Sequence, residues 1–179
     1  MKLKFYSILL MALGLGFAMV SCSDDDKNDS PDLSHSQVPE AVAKAFEAKY
    51  PEVNPDIVKW EVEGNYHVAE YNVKNTFTDV DAWFNTATGA WSMTESHYGE
   101  NLFLIPTALN VGFINSGYSQ WENDDIVFYE YPDSSRDVYI FYMEKAGEPD
   151  TALYFDKDGK LLKTTPSDNL DITPETQLI

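Results

Sequence analysis

The sequence predicts an α+β protein: a tandem repeat of one helix plus about four antiparallel strands, with the strands forming one curved sheet and both helices on one face. Three observations carry that expectation. Short apolar motifs recur in the same order along the chain. Each copy opens on a proline followed by apolar residues at helical spacing. Each copy then changes to an alternation of period two.

The recurrence is specific in its order. Val38-Pro39-Glu40-Ala41-Val42, followed by Phe46, returns as Ile105-Pro106-Thr107-Ala108-Leu109, followed by Phe113, at an offset of 67. Asp56-Ile57-Val58-Lys59-Trp60-Glu61 returns as Asp125-Ile126-Val127-Phe128-Tyr129-Glu130 at 69. Ala82-Trp83-Phe84-Asn85, with Gly89 beyond, returns as Leu153-Tyr154-Phe155-Asp156, with Gly159 beyond, at 71 and then 70. A slowly drifting offset is what duplication followed by small loop changes leaves behind.

Pro39 and Pro106 suit the first turn of a helix, where the missing N–H has no intrahelical partner to lose. Val42, Phe46 and Tyr50 form one apolar stripe, as do Ile105, Leu109 and Phe113, with Tyr50-Pro51 and Gly117 as stops. Val58, Trp60 and Val62 then alternate with Lys59, Glu61 and Glu63. Gly64-Asn65 turns the chain into a strand over Tyr66 to Val73, and Asp79 to Asn85 and Ala90 to Tyr98 flank a hairpin turn ending at Gly89. The second copy gives strands over Ile126 to Tyr131, Asp137 to Glu144, Thr151 to Phe155 and Lys160 to Thr165. The polar segment 166–179 has no assigned place.

The two copies, 37–99 and 100–165, follow a leader. Lys2 and Lys4 precede an apolar run from Phe5 to Val20, too short at 16 residues for a membrane span of roughly twenty and suited to a signal peptide over 1–21. Met19-Val20-Ser21-Cys22 resembles a bacterial lipobox, which would put a lipid on Cys22, the sole cysteine of the chain. Ser23-Asp24-Asp25-Asp26-Lys27 resembles the surface-export signal of Bacteroides-type lipoproteins, and 22–36 reads as an acidic flexible tether. The expected location is the outer membrane, lipid-anchored and surface-exposed, with the periplasmic side as the alternative.

The chain carries 12 basic and 30 acidic residues; from Cys22 onward 10 basic residues face all 30 acidic ones, a net charge of −20. That balance argues against nucleic acid, whose phosphates are neutralised by Lys and Arg. One cysteine allows no internal disulfide. His35, His67 and His97 show no ligand spacing and read as ordinary histidines, so no metal or other cofactor is expected. Asp156-Lys157-Asp158-Gly159 starts like a calcium loop but has Leu161 and Ser167 where that loop needs Gly and Glu, and reads as a hairpin turn. No phosphate loop or nucleophile elbow is present in the sequence, and no enzyme is expected.

Aromatic residues are the stronger lead. With Val127 and Tyr129 aligned to Val58 and Trp60 and facing the helices, Phe128 falls on the opposite face of the sheet. Ala82 and Phe84, with Leu153 and Phe155, likewise leave Trp83 and Tyr154 on that face. Aromatics there suit partner binding, or lie beneath a loop, the tail or the other repeat. Trp121, beside Glu122, Asp124 and Asp125 in an expected loop, is a second patch.

The order Val38-Pro39 with Val42 and Phe46, Trp60-Glu61, and Trp83-Phe84-Asn85 to Gly89 with Trp91, then Ile105-Pro106 with Phe113 and Tyr154-Phe155-Asp156 to Gly159-Lys160-Leu161, resembles the PepSY-like, β-lactamase-inhibitor-like family of envelope lipoproteins. The sequence departs from that pattern in its second helix, where Gly112 and Asn115 lower helical propensity. The resemblance implies an exported, non-catalytic protein whose open sheet face grips a protein partner. A glycan-binding accessory protein and a structural envelope component are the alternatives.

Overall fold

A computed structural model of the protein describes residues 33–73, 78–167, 170 and 172–179. The leader, Cys22 and most of the expected tether lie outside the described residues. Eight strands form one antiparallel sheet in chain order: β1 Lys59–Glu63, β2 Tyr66–Val73, β3 Thr78–Asn85, β4 Trp91–His97, β5 Glu122–Glu130, β6 Val138–Glu144, β7 Thr151–Phe155 and β8 Leu161–Pro166. Helix α1 spans Glu40–Lys49 and α2 spans Thr107–Asn115, each opened by its proline. Among the described residues no helix is long and apolar enough to cross a membrane.

Each helix is fixed by one phenylalanine. Phe46, fully buried, meets Trp60, Tyr71 and Phe84 edge-on at ring-centroid distances of 5.3, 5.8 and 6.1 Å. Phe113 stacks on Phe141 at 5.2 Å, and Phe141 meets Phe155 at 5.0 Å. The stripe residues Val42 and Leu109 are fully buried beside them.

The duplication extends to irregularities. The β3–β4 register shifts between Trp83 and Phe84, and the β7–β8 register between Tyr154 and Phe155. Both hairpin turns are closed by the same device. Asn85 Oδ1 accepts from the amides of Ala87 and Thr88 at 3.2 and 3.1 Å, and Asp156 Oδ1 accepts from those of Asp158 and Lys160 at 3.0 and 2.9 Å. The glycine ending each turn, Gly89 at φ +73° and Gly159 at φ +80°, lies against the first turn of its helix. A Cβ there would fall 2.6 Å from the Ala41 carbonyl oxygen or 2.1 Å from that of Ala108. Only glycine allows that backbone contact at positive φ.

Two expectations need correction. In β5, Ile126 and Phe128 point to the α2 side, whereas Val127 and Tyr129 join the cluster on the opposite face. The true correspondence is therefore Val58 with Ile126 and Trp60 with Phe128. Matching Trp60 to Tyr129 slips the strand by one residue, and in a strand a slip of one exchanges the faces. Strand β5 also begins earlier than expected: Glu122, Asp124 and Asp125 are strand residues, not a loop, with Glu122 and Asp125 paired to Glu144 and Tyr142 of β6 and Asp124 at the register irregularity between Asn123 and Asp125.

Gly112 is not a flaw in α2. A Cβ at this position would lie 1.9 Å from the Gly159 carbonyl oxygen. Gly112→Ala is therefore expected to destabilise the fold by about 1–3 kcal/mol through overpacking, although alanine raises intrinsic helix propensity by about 1 kcal/mol. Denaturant unfolding of the two proteins measures the sign.

Candidate functional site

Strands β4 and β5 join the two repeats, pairing Glu95 with Tyr129 and His97 with Val127. Across this junction the side chains pointing away from α1 and those pointing away from α2 meet in one cluster: Val68, Trp83 and Met93 from the first copy, Val127, Tyr129, Ile140 and Tyr154 from the second. Trp83 and Tyr154 thus lie together on the face expected for them. They are not exposed: Trp83 retains 6 % of its accessible surface and Tyr154 1 %. Ile172 and Leu178 of the C-terminal segment complete the cluster above them, with Leu170 packed alongside. Phe128 is on the other side, stacked on Tyr139 at 4.3 Å and packed in the α2 cluster. Trp121 is half-buried against Tyr118, at 5.0 Å, with the Lys145 ammonium 5.3 Å from its ring. The four aromatics do not form one patch.

The face is acidic where the tail does not cover it. Register places Glu70 opposite Asp81 and Asp81 opposite Glu95, so three carboxylates stand side by side across β2, β3 and β4. Like charges directly opposite in a sheet destabilise it by roughly 0.2–1 kcal/mol a pair. One row along, Asp79 pairs with His97. His97 Nδ1 lies 2.7 Å from Asp125 Oδ2, and its Nε2 lies 3.8 Å from Glu95 Oε2. These bonds, Asp125 first and Glu95 second, push the imidazole up to about 10, so it is a cation at neutral pH. Burial, reinforced by Glu95 and Glu70, raises Asp81 to about 7, with His97 opposing the rise and Asp79 adding to it. A cavity of about 520 Å³ opens here, bounded by Asp81, Glu95, His97 and Asp125 on the sheet and by Leu170 and Ile172 of the tail. Among the described residues no three of His, Cys, Asp and Glu are placed to hold a metal ion.

Sequence reasoning missed this row because its carboxylates are 11 and 14 residues apart and become neighbours only through the strand register. It also treated His97 as ordinary. The remaining histidines are accounted for by packing: His67 Nδ1 is 2.9 Å from Thr86 Oγ1, and His35 lies against Trp60 with Nε2 3.5 Å from Glu47. Leu33 pairs with Trp60 through its amide at 2.7 Å, so the chain is already attached to β1 before residue 37. A separate apolar patch, with Phe103 99 % and Ile114 64 % exposed, lies on α2 and the loop before it.

The sequence matches the family described as "Putative beta-lactamase-inhibitor-like, PepSY-like" over residues 26–76 and 69–163. The chain belongs to that family. Two matches along one PepSY-like chain agree with the duplicated architecture. Among solved structures, a BLIP-like protein from Bacteroides fragilis is similar at 29 % identity and a TM-score of 0.66, covering 84 % of this chain and 96 % of that one. A DUF2874 family protein from Bacteroides ovatus is similar at 25 % identity and a TM-score of 0.67, covering 79 % and 98 %. A protein from Bacteroides eggerthii described as "putative periplasmic proteins" shares the PepSY-like fold at 20 % identity and a TM-score of 0.60, covering 72 % and 88 %. No curated protein matches the sequence.

Asp81 sets a pH dependence. Its folded-state pKa is raised above the unfolded value, so its charge works against folding as pH rises from about 4 to about 7. Asp81→Asn is expected to raise the unfolding temperature at pH 8 by several degrees, with the gain shrinking as pH falls from about 7 to about 4 and absent below that, where Asp81 is protonated in both states. Thermal unfolding of both proteins across that range checks it.

Proposed function

We propose that this PepSY-like chain is a non-catalytic cell-envelope lipoprotein that binds a protein partner, in the manner of an inhibitor-type module, through the sheet face bearing Trp83, Tyr129, Tyr154 and the carboxylate row. The observation that carries the reading is that, among the described residues, this face is closed by a short tail, whereas the clusters around Phe46 and Phe113 are closed by helices. The meeting of outward residues from both copies in one cluster supports both helices lying on one face, with repeats over 37–99 and 100–165. The family description and the BLIP-like neighbour support a binding role over a catalytic one. Glu70, Asp81, Glu95 and Asp125 favour a partner presenting basic groups. Burial of Trp83 and Tyr154 disfavours the glycan reading, which needs rings open for stacking.

Anchoring through a lipid on Cys22, cleavage of the signal peptide over 1–21 and display at the outer membrane surface rest on the lipobox-like Met19-Val20-Ser21-Cys22 and the acidic run behind it. Metabolic labelling with a radioactive fatty acid is expected to mark the protein, and Cys22→Ser to abolish the label; a labelled Cys22→Ser protein would remove the anchor.

For the partner, the domain from Lys27 onward is immobilised and exposed to envelope extract of the source organism. A specific protein is expected to be retained, to elute as salt is raised, and to be lost on the Asp81→Asn, Glu95→Gln double variant. Equal retention by the folded double variant would rule out the carboxylate face.

A further inference from the structure

The tail is itself the best guide to what the apolar half of this face accepts. Thr173–Thr176 form a tight turn, with the Thr176 amide 2.9 Å from the Thr173 carbonyl and the Thr173 amide 2.9 Å from Thr176 Oγ1. Ile172 and Leu178 flank the turn and are buried in the cluster of Trp83, Tyr131 and Tyr154. Arg136 Nη2 donates to the Pro174 and Thr176 carbonyls at 3.1 Å each, its guanidinium lying 4.0 Å from the Tyr131 ring. Tyr66 donates its hydroxyl to Glu175 at the tip of the turn. The binding elements are thus two aliphatic seats, one arginine for backbone carbonyls and one tyrosine for a carboxylate.

The fit is incomplete. Trp83 Nε1 and the Tyr131 hydroxyl are buried in the cluster the tail closes, yet among the described residues neither has a hydrogen-bond partner. Buried polar groups are ordinarily satisfied, and leaving one unmade is costly. The segment also lies beyond residue 163, where the family match ends. A cover that hides two donors without satisfying them is easier to exchange than the helices on Phe46 and Phe113.

We propose that residues 172–178 are a built-in, displaceable occupant of the binding face, and that the partner inserts a turn-forming protein segment with aliphatic flanks in their place. This rests on the proposed binding role of the same face and adds the kind of segment it takes. An attached segment on a short linker has an effective concentration of order millimolar. A tail whose isolated peptide binds at about 0.1 mM would then be seated roughly nine-tenths of the time.

The test uses a fluorescent peptide of the sequence Ile172 to Ile179 and reads anisotropy against three proteins: the unmodified chain from Lys27, the chain ended after Ser167, and the full-length chain carrying Ile172→Asp and Leu178→Asp. The last guards against loss of folding on truncation, and circular dichroism with cooperative unfolding establishes which variants are folded. The peptide is expected to bind the two tail-defective proteins at least tenfold more tightly than the unmodified chain, and to lose at least tenfold when Arg136→Gln is added. Absence of binding to a folded tail-defective protein overturns the proposal, as does equal binding to all three. If neither tail-defective protein folds, the tail is a fixed part of the core and the proposal also falls. Peptide binding without any retained envelope protein would uphold the displaceable tail while sinking the partner reading; a partner retained equally with and without the tail would do the reverse.

Discussion

The pairing of β4 with β5 is the constraint on which the rest depends. Each copy alone is a four-stranded sheet with one helix, and either would leave a sheet edge open. Joining Thr94 to Glu130, Glu95 to Tyr129 and His97 to Val127 removes two edges and makes the residues pointing away from the helices continuous. Tyr98 extends the seam, its amide donating to the Ile126 carbonyl at 2.9 Å, and the Ile126 amide donates to Gly99 at 3.1 Å. The same register sets His97 against Asp125, so the ion pair of the candidate site spans the junction and exists only when the copies are correctly in line.

Duplication explains why the two halves share imperfections as well as cores. The register shifts at Trp83 and at Tyr154, the Asx-closed turns at Asn85 and Asp156, and the glycines pressed against Ala41 and Ala108 correspond across the copies. The contact is closer in the second copy, where a Cβ on Gly159 would fall 2.1 Å from the Ala108 carbonyl oxygen against 2.6 Å from Gly89 to that of Ala41, and where Gly112 lets α2 rest on Gly159. Ordinary strand alternation turns Trp83 and Tyr154 outward while Phe84 and Phe155 pack in the Phe46 and Phe113 clusters, which is how one short motif serves both faces.

Much of this was legible in the sequence because it is local. Helical spacing placed Phe46 and Phe113, and period two separated Trp83 and Tyr154 from Phe84 and Phe155, which pack in the Phe46 and Phe113 clusters. What was not legible depends on register or on long-range contact. Phe128 was assigned to the wrong face because chemical similarity between Trp60 and Tyr129 outweighed a one-residue difference in loop length, and similarity carries no parity. The row Glu70, Asp81, Glu95 needs two hairpin registers to be known together. The tail has no periodicity over 172–179, yet Ile172 and Leu178 are buried in a face already built, and Arg136 bonds the carbonyls between them. Gly112 looked like a helix defect because propensity counts only what a residue does to its own helix, and here the constraint is the backbone across from it.

The two halves of the open face oppose one another in character, and that opposition argues for a site. A purely structural sheet face would place the tail over the carboxylate row, screening it, or alternate acids with Lys and Arg. Here the tail lies over the aromatics, Asp81 is held with its pKa near neutrality by burial among Glu95 and Glu70, and His97 is the cation set between Glu95 and Asp125. Folding therefore retains an electrostatic penalty on one half and, among the described residues, unsatisfied donors on the other. Both are relieved by the same kind of event: a protein surface that brings positive charge to the carboxylates and hydrogen-bond acceptors to Trp83 and Tyr131. Since binding can only draw on interactions the unbound state lacks, those two deficits are where affinity for a partner would arise.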